Sequence, residues 1–252
     1  MFWQGKTVLI TGASSGLGRG VALHAAANGA HIVATARRVP LLETLKEEVE
    51  ALGVRCEIVP ADATDPVQVQ RVLDRAIETF GRVDVALLNA GGGAAQVMGE
   101  TTSEAVTWEM RVNFDTVVNF LCPLIAHMKD VGGTIATTSS PAGFFGLPKS
   151  GPYSASKAAT RILFDSCRVE LAHTPLRFVT LYPGFAYTDG LNPEDVPVKA
   201  LIITKERAVR EMAWAMEVGK QRHMFPKRIR WLISLGGWLP VSWLQRLLTL
   251  IG

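Results

Sequence analysis

The run Thr7-Val-Leu-Ile-Thr11, followed at once by Gly12-Ala-Ser-Ser-Gly16-Leu-Gly18 and then by an Ala-rich stretch over 21–27, constrains the fold more than any other feature of the chain. An unbroken β-branched and apolar run suits a short buried strand, the glycines suit a tight turn, and the Ala-rich stretch suits a helix. A chain that passes from strand through glycines into helix leaves the helix N-terminus, with its unpaired N–H groups and positive dipole end, facing the turn. Without side chains the turn backbone approaches a phosphate closely, so the segment reads as a seat for a pyrophosphate. A turn that only packs strand on helix is the competing reading. The spacing is Gly-x-x-x-Gly-x-Gly rather than the Gly-x-Gly-x-x-Gly of two-domain dinucleotide enzymes.

Downstream, apolar runs at 31–36, 54–59, 83–88, 133–138 and 177–181 alternate with helical patterns at 41–52, 66–80, 108–129 and 154–172. Strands alternating with helices join by right-handed crossovers into a parallel sheet. The expected fold is α/β: a doubly wound, Rossmann-type three-layer sandwich with its ligand crevice at the carboxyl ends of the strands. The chain has 252 residues, is 48% hydrophobic and contains no linker, repeat or low-complexity tract. One domain is expected over 1–226, with 227–252 as an apolar and basic helical extension of it.

Tyr153 and Lys157 stand four residues apart, and Ser140 precedes the tyrosine by thirteen. On a helix the tyrosine and lysine share a face. An ordinary phenol, with a pKa of about 10, is a poor proton donor or acceptor near neutrality. A neighbouring ammonium favours phenolate and is expected to lower that value toward the range where acid/base catalysis is efficient. A serine hydroxyl beside the phenol would hydrogen-bond the oxygen of a reacting carbonyl, so the trio reads as proton chemistry on a C–O group. The pair alone is a weak signal, because tyrosine and lysine often meet at this spacing on solvated helix faces.

Taken together these segments resemble the short-chain dehydrogenase/reductase family, over residues 5–190 and through several separated motifs in the correct order. The resemblance implies that Gly12, Ser14, Ser15, Gly16, Leu17 and Gly18 form the cofactor loop. It implies that Asp62 and Ala63 lie near the adenine, and that Asn89, Ala90 and Gly91 form the turn under the adenosine side. Pro183, Gly184 and Thr188 match the turn at the nicotinamide end. Asn113, Ser140, Tyr153 and Lys157 fall on the family's catalytic tetrad, and the family spacing selects Ser140 over its neighbour Ser139. By the same resemblance Tyr153 is the proton donor and acceptor, Lys157 also holds the nicotinamide ribose, and Asn113 holds a water in a proton relay. Tyr153 and Lys157 therefore count as cofactor contacts too.

Cofactor choice turns on Thr35-Ala36-Arg37-Arg38, about twenty residues beyond the glycine loop. An acid here bonds a ribose 2′-hydroxyl, whereas an arginine accommodates a 2′-phosphate. There is no Asp or Glu between Thr35 and Leu42. A guanidinium fork suits a phosphate in charge and geometry, so NADP(H) is favoured over NAD(H), with Arg37 as the implied contact and Arg38 either assisting or facing solvent. A basic pair that only solvates the next helix is the alternative.

A formal charge of +3 gives no sign of a nucleic-acid surface. Cys56, Cys122 and Cys167 are odd in number and scattered, which argues against a disulfide framework and fits a reducing compartment, the cytoplasm. The five histidines show no ligand spacing, so no metal is assigned. The six residues before the first strand leave no room for a cleavable signal peptide.

The segment 186–205 takes the place of the family's variable substrate loop and carries Leu191, Val196, Val198, Leu201, Ile202 and Ile203. With Phe144, Phe145 and Leu147, and with the low bulk of Gly92, Gly93 and Ala94, it suggests an apolar pocket for a lipophilic ketone or its secondary alcohol. Ordinary packing is an equal reading of the same residues. In the tail, residues 231–245 carry no charge, follow the basic run Lys227-Arg-Ile-Arg230, and are interrupted by Gly236, Gly237 and Pro240. That is too short and too broken to span a membrane, which needs about 20 apolar residues. The tail reads either as helices capping the cleft or a subunit interface, or as a peripheral membrane contact through 227–252. The resemblance implies a homodimer or homotetramer through the helices at 108–129 and 154–172. A catalytically silent regulatory protein on the same scaffold is the rival class, but no catalytic position is lost. A membrane-associated lipid keto-reductase is a second alternative. An epimerase or dehydratase would need a separate substrate domain, which the residues after Thr188 do not provide.

Overall fold

Strand β1 (Thr7–Thr11) is buried at every position. It pairs in parallel with β2 (His31–Thr35) on one side and β4 (Val85–Leu88) on the other. A computed structural model describes residues 1–93, 95–188, 191, 196 and 199–251. The chain winds outward from β1 through β2 to β3 (Cys56–Ile58), then crosses back to β4, β5 (Gly133–Thr138), β6 (Leu176–Pro183) and β7 (Arg222–Phe225). The sheet order is β3-β2-β1-β4-β5-β6-β7 and every pairing is parallel. The order reverses between β1 and β4, so a crevice opens beyond their carboxyl ends, at the glycine loop and at Asn89. This is the doubly wound sandwich expected from the alternation.

Helices cover both faces, which is why the strands are apolar along their length rather than alternating. On one face α1 (Gly16–Ala27), α2 (Val39–Glu50) and α7 (Lys205–Glu217) bury Val21, Ala25, Leu42, Leu45, Met212 and Met216. On the other, α3 (Pro66–Phe80), α5 (Thr116–Met128) and α6 (Gly151–Glu170) bury Val72, Leu73, Phe120, Leu124 and Phe164.

Helix α3 and strand β5 occupy the spans read from the sequence. For α3 the reason is local: Asp65 caps the N-terminus by accepting from Val67 N and Gln68 N, Pro66 opens the first turn, and Gly81 closes the helix at φ 80°. The helix expected over 108–129 is instead α4 (Ser103–Met110), a π-helical turn Arg111–Asp115, and α5. Asn113 explains the interruption, because its Nδ2 donates to the Glu109 carbonyl oxygen at 3.1 Å and competes with the backbone ladder there. Helix α7 was not among the expected helices; Thr204 caps it by accepting from Arg207 N, and it buries Ala208, Val209, Met212, Ala213 and Met216. The tail forms α8 (Lys227–Gly236) and α9 (Val241–Ile251). Among the described residues no helix is long and apolar enough to cross a membrane.

Candidate active site

The glycine loop forms the first wall of the crevice. Gly16 opens α1 in the left-handed region, at φ 57°. At Gly18 a Cβ would lie 2.5 Å from the Gly12 carbonyl oxygen and 2.7 Å from Asn89 Nδ2, so only glycine lets α1 sit this close to the turn after β4. The first turn of α1 holds no acid, and Ser15 at its N-cap makes no side-chain cap bond, so the N–H groups there are unopposed by negative charge. Thr11 Oγ1 accepts from both Asn89 N and Ala90 N at 2.9 Å, which ties the loop to the Asn89-Ala-Gly91 turn. Thr188, from the turn after β6, comes within van der Waals reach of the Cβ position at Gly16. These small, acid-free walls fit a dinucleotide pyrophosphate.

Beyond β2 the two arginines divide. Arg38 lies over the loop, with Nη2 donating to Ser14 Oγ at 2.9 Å and reaching Ser15 Oγ as well. Arg37 is exposed and near enough to Asp62 to help hold its carboxyl below the ordinary range, a shift caused first by the Thr64 N–H. The sequence reading gave Arg37 the leading role and left Arg38 assisting or in solvent; here Arg38 has the fixed seat, because two serines of the loop accept from it. Asp62 also accepts from Thr64 Oγ1 at 2.8 Å, and the Ala63 carbonyl accepts from Asn119 Nδ2 at 3.0 Å, so both belong to an ordered turn at the crevice edge.

The tetrad residues converge from three elements. Ser140 lies just past β5, where its Oγ accepts from Ala142 N at 3.2 Å and its hydroxyl is placed to hold the Tyr153 phenol down. Its neighbour Ser139 is turned away, donating to the Lys157 carbonyl at 3.1 Å in the interior. Lys157 is buried one turn after Tyr153 on α6, with Nζ donating to the Thr138 carbonyl at 3.2 Å and lying 5.5 Å from the Tyr153 ring centroid. A Cβ at Gly91 would meet Asn113 Oδ1 at 2.7 Å and Lys157 Nζ at 3.4 Å, so the turn after β4 closes directly over the lysine.

The electrostatics depart from the sequence expectation in one respect. Burial raises the Tyr153 phenol above its ordinary value, the Ser140 hydrogen bond opposes this, and the Glu109 carboxylate adds to it. The net direction is upward and is set by desolvation, against the lowering that the Tyr-Lys spacing predicts. The Lys157 ammonium is itself lowered by burial to about 8, with Glu109 pulling in the opposite direction.

Glu109 is the residue that the sequence reading missed. It is buried, accepts from Asn113 Nδ2 at 2.9 Å through Oε1, and accepts from Gln96 Nε2 at 3.3 Å through Oε2. At Gly93 a Cβ would lie 2.8 Å from Glu109 Oε1 and 2.9 Å from Tyr153 Cδ2, so bare backbone passes between carboxylate and phenol ring. Its signal was an acid one helical turn before Asn113. The Asn113 side chain is fully engaged, since Nδ2 also donates to the Gly92 carbonyl at 2.6 Å and Oδ1 accepts from Gly92 N at 3.1 Å.

Of the expected pocket residues, Phe145 is half-buried with its ring against Gly236, and Phe144 packs edge-on to Tyr182 with centroids 5.2 Å apart. Val196 and Ile203 are buried, and Ile203 belongs to the core that α7 covers. Ala94 and Val198 lie outside the described residues.

Residues 6–196 match the profile of the family described as short chain dehydrogenase. A protein of Myxococcus xanthus (strain DK1622), named an uncharacterized oxidoreductase, is 36% identical over 231 residues, covering 88% of this chain and 87% of that protein. An alcohol dehydrogenase from the archaeon Thermococcus sibiricus, solved in complex with 5-hydroxy-NADP, superimposes with a TM-score of 0.79 at 26% identity, over 87% of this chain and 95% of its own. A short-chain dehydrogenase/reductase from Burkholderia phymatum, solved with NAD, gives a TM-score of 0.85 over 94% of each chain, and at 24% identity speaks to the fold alone. The profile covers both the glycine loop and the converged Ser140, Tyr153 and Lys157, and the relatives are oxidoreductases: the chain belongs to the short-chain dehydrogenase family.

Proposed function

We propose that the protein interconverts a lipophilic ketone and its secondary alcohol with NADP(H). The observation that carries this reading is the convergence of Ser140 and Tyr153 beside the buried Lys157, whose Nζ lies 5.5 Å from the tyrosine ring centroid. A bound nicotinamide dinucleotide supplies or accepts the hydride. Tyr153 gives its proton to the carbonyl oxygen in reduction and takes it back in oxidation. Ser140 hydrogen-bonds the same oxygen and fixes its position. Lys157, held by the Thr138 carbonyl, sets the local positive charge and stands where a nicotinamide ribose would meet it. Asn113, its side chain engaged by Gly92 and Glu109, anchors the Gly92 backbone beside the lysine. The phenol, held above its ordinary value, is protonated at neutral pH, which suits the reductive direction.

Support for NADP(H) over NAD(H) comes from the basic pair beyond β2, with Arg38 seated on Ser14 and Arg37 beside it, and no carboxylate before Glu43. The Thermococcus sibiricus enzyme, an alcohol dehydrogenase solved with a hydroxylated NADP, agrees in both chemistry and cofactor. Self-association fits the outer face of α6, where Ile162 and Val169, one heptad apart, are 53% and 78% exposed. The test is a panel of apolar ketones with NADPH and NADH, followed by cofactor absorbance. Turnover with NADPH is expected, and a failure of every ketone with both cofactors would overturn the reading.

A further inference from the structure

The last acidic residue of the chain is Glu217. Beyond it lie six Lys and Arg and no Asp or Glu, whereas the first 217 residues hold 20 Lys and Arg against 23 Asp and Glu and are net acidic. Three of the six, Lys227, Arg228 and Arg230, are exposed on the first turn of α8. The inward face of that helix is accounted for: Ile229 packs on Gly184, and Gly236 lies against the Phe145 ring, so α8 covers the segments that follow Ser140 and β6. Its outward face is apolar. Trp231 is 63% exposed, Leu232 56% and Leu235 61%; Trp238 beyond the helix is 90% exposed, and Trp243 on α9 is 65% exposed. Single exposed apolar residues are ordinary, but five large ones within thirteen positions of the chain mark a surface that something covers.

We propose that α8 and α9 form a docking face for an anionic bilayer surface, with α8 lying between the lipid and the segment that follows Ser140. Tryptophan and leucine beside lysine and arginine is the composition that settles at the boundary of headgroups and acyl chains. The indole and leucyl groups enter the interface while the cations at the start of α8 meet lipid phosphates. A second copy of the chain is the rival occupant, and charge decides against it. In a two-fold interface the same patch meets itself, so Lys227, Arg228 and Arg230 would find no acid in the partner's segment to pair them. The attachment is peripheral, because α8 has 10 residues and α9 has 11, about half of what a span requires. Docking does not depend on the oxidoreductase reading. What does rest on that reading is the consequence that the ketone is supplied from lipid, through the apolar side of the cleft that α8 covers.

The experiment sediments the full-length protein with vesicles of phosphatidylcholine alone and of phosphatidylcholine mixed with phosphatidylserine, at low and high salt. Binding to the mixed vesicles is expected to exceed binding to the neutral ones by roughly a hundredfold, given three cations at the surface, and to weaken with salt. The triple variant Lys227→Glu, Arg228→Glu, Arg230→Glu should stay in the supernatant, and Trp231→Ala with Leu235→Ala should bind more weakly. All five positions are exposed, so an unchanged thermal melt separates loss of docking from loss of fold. Tryptophan emission should shift to the blue when phosphatidylserine vesicles are added. Equal partition with and without vesicles would overturn the proposal, and so would a triple variant whose only change is a smaller oligomer by light scattering. None of these readouts needs turnover, so an inactive but vesicle-bound protein would count against the enzymatic reading and not against docking.

Discussion

Glu109 and Asn113 sit one turn apart at the start of a π-helical turn, and the buried carboxylate accepts from the asparagine amide at 2.9 Å. The same carboxylate acts on the site through charge, raising the Tyr153 phenol and opposing the loss of the Lys157 proton. Replacing Glu109 by Gln keeps the shape and removes the charge. The phenol value should then fall, because phenolate no longer faces an anion, and the Lys157 value should fall further below about 8, because the ammonium loses its counter-charge. Reduction needs a protonated phenol, so kcat/KM for ketone reduction should decline at a lower pH in Glu109→Gln than in the wild type. Matching pH profiles over the alkaline limb would show that the carboxylate is only a structural partner of Asn113.

Tyr153→Phe removes the hydroxyl and leaves the ring in place. A drop in kcat of about 10²–10⁴-fold is expected, the usual contribution of a positioned acid or base. Cofactor affinity, measured by fluorescence titration, should change little. Wild-type kcat in this variant would show that the proton comes from elsewhere.

The two arginines beyond β2 differ in seat, so their variants should differ too. Arg38→Ala is expected to raise KM for NADPH roughly ten- to a hundredfold through loss of charge-assisted bonds, with KM for NADH nearly unchanged. Arg37→Ala should act in the same direction but more weakly. An equal loss for both cofactors would mean that Arg38 merely braces Ser14 and Ser15.

Gly18→Ala should be the most damaging of the small changes in the loop. The added methyl meets backbone at 2.5 Å, so Gly12 or the Asn89 turn has to move. Overpacking of this kind costs about 1–3 kcal/mol. A lowered melting temperature together with weakened NADPH binding is expected, whereas wild-type behaviour in both would show that α1 is free to shift outward.

Local chemistry was enough for much of this protein. The strand, glycine turn and helix at its start, the capped helix α3 and the strand β5 are each specified by residues within their own span, as Asp65, Pro66 and Gly81 are for α3. Tyr153 and Lys157 were legible as a pair because they share a helix face, whereas the choice of Ser140 over Ser139 came from the family spacing rather than from any local signal. What only the tertiary structure decided depends on neighbours remote in the chain. Asn113 breaks a long helix because Gly92 and Glu109 are both within its reach. The phenol goes up rather than down, because burial, which spacing along the chain does not report, sets the direction. Arg38 rather than Arg37 sits on the loop, a choice set by the path of the backbone after β2. The tail composition left two roles open; the fold sets Ile229 against Gly184 and Gly236 against the Phe145 ring, and leaves Trp231 and Leu235 on the outside. Periodicity tells which residues share a face of a helix, but which face is covered depends on what the rest of the chain brings against it.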